Sequence, residues 1–250
     1  MNIHIYPDPH ELGKMAGSAA AGLIRDAIHT NGTAYIILAT GASQFETLAQ
    51  LVSEKDIDWG KVLMFHLDEY IGLPIGAPAS FRRYLQERFL SKVPPLKAAY
   101  LIDGESDAAA ECDRLGGLIS QHPIDVALVG IGENGHLAFN DPPANFDTEQ
   151  PYIVVALDEA CRKQQLGEGW FASMEEVPAK AISMSIKQIL RSKHIICSVP
   201  DSRKAMAVER CLEGTVNNLW PASILQTHAA CYCYLDKSSA ALLTHAKQTS

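Results

Sequence analysis

A chain of 250 residues that is 47% apolar and 20% charged has the make-up of an ordinary globular protein with a sizeable core. Its net charge of −8 argues against nucleic acid as a partner, and no apolar run is long enough for a membrane span. The opening MNIHIYPDPHEL lacks the basic start and long apolar core of a signal peptide, so the cytoplasm is the expected location.

Asn2 to Tyr6 reads as a first strand. Asp8, Pro9 and Glu11 then start a helix as cap, first-position proline and first-turn acid, and apolar residues at helical spacing carry it to Asn31-Gly32. A strand over Ala34 to Ala39 leads into Thr40-Gly41-Ala42-Ser43, where Ser43 and Glu46 form a capping-box pattern for a helix through Leu51. Two readings of this turn stand side by side. It is an ordinary capped strand-to-helix connection, or it is an anion seat with free N–H groups and the Thr40 and Ser43 hydroxyls.

Val62 to Leu67 is a third strand, followed at once by Asp68, Glu69 and Tyr70. Adjacent carboxylates there suit either an acid/base site or a solvated loop. Ser80 to Leu90 and Ser106 to Ser120 read as helices, with Pro94-Pro95 ending the first unit. Asp125 to Val129 is a short buried strand that breaks into GIGENGHLAFNDPP. Gly130, Gly132 and Gly135 spell the dinucleotide-binding pattern, with Asp158 near the place of a ribose-binding acid. That fingerprint needs a helix beginning at its third glycine, and Pro142-Pro143 forbid a long one. Glu133, Asn134, His136, Asn140 and Asp141 instead make this loop a candidate site at the end of a strand.

Tyr152 to Leu157, Ala181 to Ile186, Ile195 to Val199 and Ala230 to Leu235 complete the strands, with a helical turn from Asp158 to Gln165 and a loop over 167–171. The six cysteines include no C-x-x-C, and Cys231 and Cys233 share one strand face, which suits packing better than metal binding. Asp201 caps a helix through Leu212 that carries Arg203 and an exposed Lys204 in its first turn. Cations there oppose the helix dipole, and a bound anion would supply the reason. Alternating strands and helices predict one α/β domain over residues 1–250: a doubly wound, mainly parallel, Rossmann-like sheet with helices on both faces.

With these residues in view, the chain resembles the glucosamine-6-phosphate deaminase (isomerase) family from Ala34 to about Leu235. The blocks that carry the resemblance are LATGAS (Leu38 to Ser43), FHLDEYIGLP (Phe65 to Pro74) and GIGENGHLAFNDP (Gly130 to Pro142), with weaker support from SRKAMAVERCLEG and WPAS. The related 6-phosphogluconolactonases would read DER after the third strand and GHTASLFP in the later loop.

The resemblance implies conversion of glucosamine 6-phosphate to fructose 6-phosphate and ammonia. Asp68 would be the isomerisation base, and His136 would open the sugar ring with Asn134 and Asp141. Thr40, Gly41, Ala42, Ser43 and Lys204 would hold the phosphate, with Glu69 beside the substrate. A carboxylate of raised pKa suits a proton shift beside a carbonyl, and an imidazole suits ring opening. Neither a metal nor an organic cofactor is implied, and the partner is a small amino-sugar phosphate, with a homo-oligomer as the assembly to test for.

Three departures are visible. Asp141 stands where the family commonly has Glu, and Gly41-Ala42-Ser43-Gln44 replaces Gly-Gly-Thr-Pro. Trp170 stands where some members have a phosphate-binding arginine, with Arg162, Lys163 and Arg203 as stand-ins. A galactosamine-6-phosphate isomerase, a lactonase and a non-catalytic sugar-phosphate sensor are the alternatives. A DNA-binding sensor would need an added helix-turn-helix, for which a first strand at Asn2 leaves no room.

Overall fold

The computed structural model describes residues 1–244, so the last six residues of the expected 1–250 unit lie outside the described residues. In chain order the elements are β1 (Asn2–Tyr6), α1 (Pro9–Asn31), β2 (Ala34–Leu38), α2 (Phe45–Ser53), β3 (Val62–His66) and β4 (Asp68–Tyr70). Then come α3 (Phe81–Leu85), β5 (Ala98–Tyr100), α4 (Ala108–Ile119), β6 (Val126–Val129), β7 (Tyr152–Ala156) and α5 (Glu159–Gly167). The described chain ends with β8 (Lys180–Met184), α6 (Ile186–Leu190), β9 (His194–Val199), α7 (Ala205–Leu212) and β10 (Cys231–Asp236).

Seven strands form one parallel sheet in the order β1-β10-β9-β6-β2-β3-β5. From β2 the chain winds outward through β3 and β5, then crosses back to β6 and winds the other way. The winding therefore reverses between β2 and β6, the crevice where ligands of such sheets bind. Alternation along the strands feeds two separate cores. Ile36, Leu38, Val126 and Leu128 face α1 and α2, whereas Ile37, Ala127 and Val129 face α4, α7 and the small sheet. Each fully buried aliphatic or phenyl side chain contributes about 1.5–3 kcal/mol.

α1 begins and ends where the sequence places it. Asp8 Oδ1 accepts from Glu11 N at 2.9 Å, and Gly32, at φ 73°, closes the last turn onto Ile28 O.

Two of the expected sheet strands leave the parallel sheet. β4, β8 and β7 form a separate three-stranded antiparallel sheet in the order β4-β8-β7. Leu67 is the hand-over point: its N–H donates to Leu38 O in the large sheet, and its carbonyl accepts from Met184 N in the small one. β7 has alternately exposed residues, as an antiparallel strand with one solvated face should, while β3 and β6 are buried throughout.

The Ser43–Glu46 capping box does not form. A 3-10 turn, Ala42–Gln44, precedes α2, no side chain caps either, and Glu46 reaches His10 Nδ1 at 3.0 Å instead. β5, α6 and a 3-10 helix over Pro221–Thr227 were not anticipated, and Gln86–Leu90 continues α3 as a π-turn. All six cysteines are free thiols, and Cys197, Cys231 and Cys233 pack in the core. Among the described residues no helix is long and apolar enough to cross a membrane.

Candidate active site

The ends of β2, β3 and β6 and the turn after β9 open into one cavity. Its walls include Thr40, Gly41, Ala42, Ser43, Asp68, Gly132, His136 and Lys204. Sequence-distant candidates thus converge at the point where the sheet winding reverses.

The His136 loop is held by its own polar groups rather than by a helix. Gly132 N donates to His136 O at 3.0 Å, and His136 N donates to Asn134 Oδ1 at 3.1 Å. Gly132 has to be glycine, because a Cβ there would overlap the His136 imidazole. No helix starts at Gly135, so the dinucleotide reading finds no pyrophosphate seat.

Asp141 Oδ1 lies 3.2 Å from His136 Nδ1, an ion-pair distance but off the line of a straight hydrogen bond. The shorter acid therefore still reaches the imidazole. Asn134 Nδ2 donates to Asp141 Oδ1 at 3.0 Å and to Asp158 Oδ2 at 3.1 Å, and Asp158 N donates to Asp141 Oδ2 at 3.0 Å. Burial opposes ionisation of Asp141, but the contacts with His136, Asn134 and the Asp158 N–H hold its carboxyl below the usual range. A carboxylate so fixed can orient an imidazole and stabilise its protonated form.

Cys161 stands close by, and its ligand atom lies within 4.8 Å of those of His136 and Asp141. As a metal site this trio is poorly prepared. Burial and then the Asp141 and Asp158 charges push the thiol far up, so sulfur stays protonated, and both Asp141 oxygens already accept N–H groups.

Asp68 is 6% exposed and opens β4 on the cavity wall. Burial, and then the charge of Glu69, push its carboxyl up to about 8. Such a group is protonated at rest and becomes a strong base once ionised.

Glu69, for which a substrate contact was expected, does not line the cavity beside it. Successive strand residues point to opposite faces, and Glu69 points away from the cavity. Its fully buried carboxylate accepts from Tyr70 N, Phe81 N, Arg82 N and Ser80 Oγ at 2.8–3.1 Å, with Arg82 Nε at 3.4 Å. Glu69 anchors α3 to the small sheet.

Lys204 is 4% exposed rather than a surface lysine, and its side chain makes no hydrogen bond or ion pair with any described residue. Burial pulls its pKa down. Asp201 caps the turn before α7 by accepting from Arg203 N at 3.0 Å, and so delivers Lys204 to the cavity. On the facing wall Gly41 takes φ 90°, and the buried Thr40 hydroxyl has no hydrogen-bond partner. A buried cation with no hydrogen bond or ion pair to a described residue, beside an unsatisfied hydroxyl, has the chemistry to receive an anion, although the Glu168 and Glu133 carboxylates also act on its charge. The turn after β2 thus combines the two readings: it connects strand to helix without a side-chain cap, and it faces a cation.

The sequence model of the glucosamine-6-phosphate isomerases/6-phosphogluconolactonase family matches residues 7–233. The chain belongs to that family. It is 38% identical over 232 residues to a glucosamine-6-phosphate deaminase of Listeria innocua, covering 92% of this chain and 97% of that protein. The deaminase of Lactobacillus delbrueckii subsp. bulgaricus is 35% identical over 244 residues, covering 97% and 100%. Among solved structures, a monomeric glucosamine-6-phosphate deaminase superposes with a TM-score of 0.89 at 31% identity, covering 97% of this chain and all of that one. A 6-phosphogluconolactonase from Trypanosoma brucei shares the fold at 18% identity and a TM-score of 0.79, covering 97% and 98%.

As a member of this family the chain departs at the cation stand-ins. Arg162 donates to the carbonyls of Met174 and Val177, Lys163 pairs with Glu159, and Arg203 pairs with Asp201 and lies 3.5 Å from Glu133. None of the three lines the cavity, which leaves Lys204 as its lysine or arginine among the described residues. Trp170 packs edge-on against Phe45 and donates its indole N–H to Glu168.

Sequence reading missed Gln164, Gln165 and Glu168, which line the cavity from α5 and its end. Gln164 Oε1 accepts from Glu133 N at 2.8 Å, and Gln165 Oε1 accepts from the Tyr70 hydroxyl at 2.7 Å. The available signal was a pair of amides on what becomes the buried face of a short helix.

Proposed function

We propose that the protein isomerises and deaminates glucosamine 6-phosphate, giving fructose 6-phosphate and ammonia. The observation that carries this reading is one cavity holding three kinds of group. A buried carboxylate, Asp68, faces an imidazole braced by an acid, His136 with Asp141, and both share the cavity with the unpaired cation Lys204.

The chemistry follows from those groups. The phosphate binds to Lys204 and the Thr40–Ser43 turn, which removes the cost of leaving the ammonium unpaired. His136 carries a proton from the O1 hydroxyl to O5 as the ring opens, while Asp141 and Asn134 keep the imidazole oriented. Ionised Asp68 then takes the proton from C2, and the electron pair shifts toward C1 and its oxygen. O1 takes up a proton as the enolamine forms, and returning the Asp68 proton to C1 while the nitrogen gives up one of its own leaves an imine at C2, which water hydrolyses to the ketose and ammonia. The substrate's own carbonyl accepts the electrons throughout, so no metal or organic cofactor is required, and activity should survive a chelator.

Every group in this scheme comes from one chain, so a monomer suffices, as in the monomeric relative. Sedimentation velocity would detect a homo-oligomer. A charged sugar phosphate does not cross bilayers unaided, which fits work in the cytoplasm.

The decisive assay incubates purified protein with glucosamine 6-phosphate, galactosamine 6-phosphate and 6-phosphogluconolactone, measuring ammonia, ketose phosphate and acid separately. Ammonia and ketose from the gluco sugar are expected. Ammonia from the galacto sugar alone would move the reading to the sister isomerase, acid from the lactone would change the reaction class, and tight binding without product would favour a sensor.

A further inference from the structure

Glu168 stands in the cavity with no part in the reaction just described. It follows α5, and its side chain faces the same space as Lys204 and the Thr40–Ser43 turn. Two donors hold it in place: Gln164 Nε2 at 2.9 Å from Oε1 and Trp170 Nε1 at 3.2 Å from Oε2. A Cβ built on Gly41 would lie 3.9 Å from Oε2, so the acid rests against the turn itself. One end of the cavity thus pairs a single buried cation with a fixed carboxylate.

That combination is selective for charge. A phosphate ester above its second pKa, about 6, is a dianion with no proton to share, and it meets repulsion from Glu168. Below that pKa one P–O–H remains, and an ionised carboxylate accepts a strong hydrogen bond from it. We propose that Glu168 makes the anion end of this cavity select the singly charged form of phosphate, whose hydroxyl donates to Glu168 while Lys204 and the Thr40–Ser43 turn hold the other oxygens. The proposal rests on reading this end as the phosphate end.

Other titratable groups share these surroundings. Lys204, Arg203 and Glu133 belong to the side of the Asp201 turn, and Tyr84 and Tyr70 to the side of α3 and the small sheet. Asp68 and His136 stand elsewhere on the cavity wall. Sulfate separates their effects from that of the ligand's own proton, because it stays doubly charged throughout the useful pH range.

The test is calorimetric binding of inorganic phosphate and of sulfate at pH 5.5 and pH 8, to the native chain and to Glu168→Gln. The native protein should bind phosphate about ten-fold more tightly at the lower pH, and sulfate more weakly than phosphate there. Glu168→Gln should flatten the phosphate dependence and bind sulfate about ten-fold more tightly than the native chain. Trp170→Phe, which removes only the indole N–H that fixes the acid, should move sulfate binding the same way by a smaller factor.

Native protein that takes sulfate as readily as phosphate at pH 5.5, or a glutamine variant with unchanged sulfate affinity, overturns the proposal. Sulfate binding by that variant that itself weakens toward pH 8 would assign the titration to Lys204 and overturn it as well. If neither protein binds either anion, the phosphate reading of this end falls, and ammonia release remains the separate measure of the reaction.

Discussion

Replacing Lys204 with methionine should make the empty protein more stable while abolishing its response to phosphate. The lysine side chain is 4% exposed and makes no hydrogen bond or ion pair with a described residue, and burial outweighs the attraction of Glu168 and Glu133 on its charge, so the folded protein bears a desolvation cost that methionine of similar length avoids. Exchanging buried charge for packed apolar volume is worth roughly 1–3 kcal/mol in favourable cases, or about 2–10 °C in melting temperature for a chain of this size. Phosphate reverses the ranking. Losing a buried charge-assisted contact costs about 3 kcal/mol, more than 100-fold in affinity. Native protein at 100 times its Kd should gain about 2.7 kcal/mol, and the variant almost nothing. Urea denaturation with and without inorganic phosphate measures both effects. The pH dependence gives an independent check. Because the folded pKa lies below the ordinary lysine value of 10.5, the unfolded chain binds more protons in the window between the two, so native stability rises with pH across it. The methionine variant should lack that rise. A variant less stable than the native protein in the absence of phosphate, or one that keeps the phosphate-induced gain, would refute the reasoning.

Asp68 should impose a limb on kcat, read at saturating substrate so that phosphate affinity does not enter, that climbs toward about pH 8, where the buried carboxyl ionises, and Asp68→Asn should lower turnover about 100- to 10,000-fold. A profile flat down to pH 6 would move the base elsewhere. In stability the same group works the other way: a raised folded pKa means stability declines between about pH 4 and 8, a decline that Asp68→Asn should lessen. Gly132→Ala, whose methyl overlaps the His136 ring, should cut kcat while leaving phosphate binding near normal, so an active alanine variant would contradict the loop geometry. Glu69→Gln should act on the fold, costing about 1–3 kcal/mol and lowering the melting temperature by about 2–10 °C, because an amide cannot accept from all the buried donors its carboxylate satisfies, while Arg82 keeps Asp103 and Glu105. A stable Glu69→Gln variant with a raised KM would restore the substrate contact denied above.

Local signals were legible where local physics decides the outcome. Asp8, Pro9 and Gly32 mark both ends of α1 because capping depends on neighbours within four residues. The residues from Gly130 to Asp141 were readable as a site because such a density of polar groups after a buried strand has few structural uses. The departure of β4, β7 and β8 into their own sheet was not legible, since a five-residue apolar strand reads alike in either sheet and only long-range pairing separates them. Local sequence alone did not separate Asp68 from Glu69, which only the family resemblance told apart, for a related reason. Once they belong to a strand, alternation sends one to the cavity and the other to Arg82, but the chain reads as a loop there. The seclusion of Lys204 is long-range: it lines one cavity with residues of the turn after β2 and of α5, and no window of sequence contains them together.

The hand-over at Leu67 puts the two ends of the cavity on different pieces of framework. Asp68 rides on the small antiparallel sheet, whereas the Thr40–Ser43 turn and Lys204 ride on the large parallel one. On the proposed reading, the spacing between the base and the phosphate end is therefore set by how one sheet rests on the other. On that reading the seam would act as a caliper for the number of carbons between a ligand's reacting centre and its charged tail. A sugar phosphate one carbon shorter should touch one jaw or the other but not both, which makes chain length a property read by the scaffold.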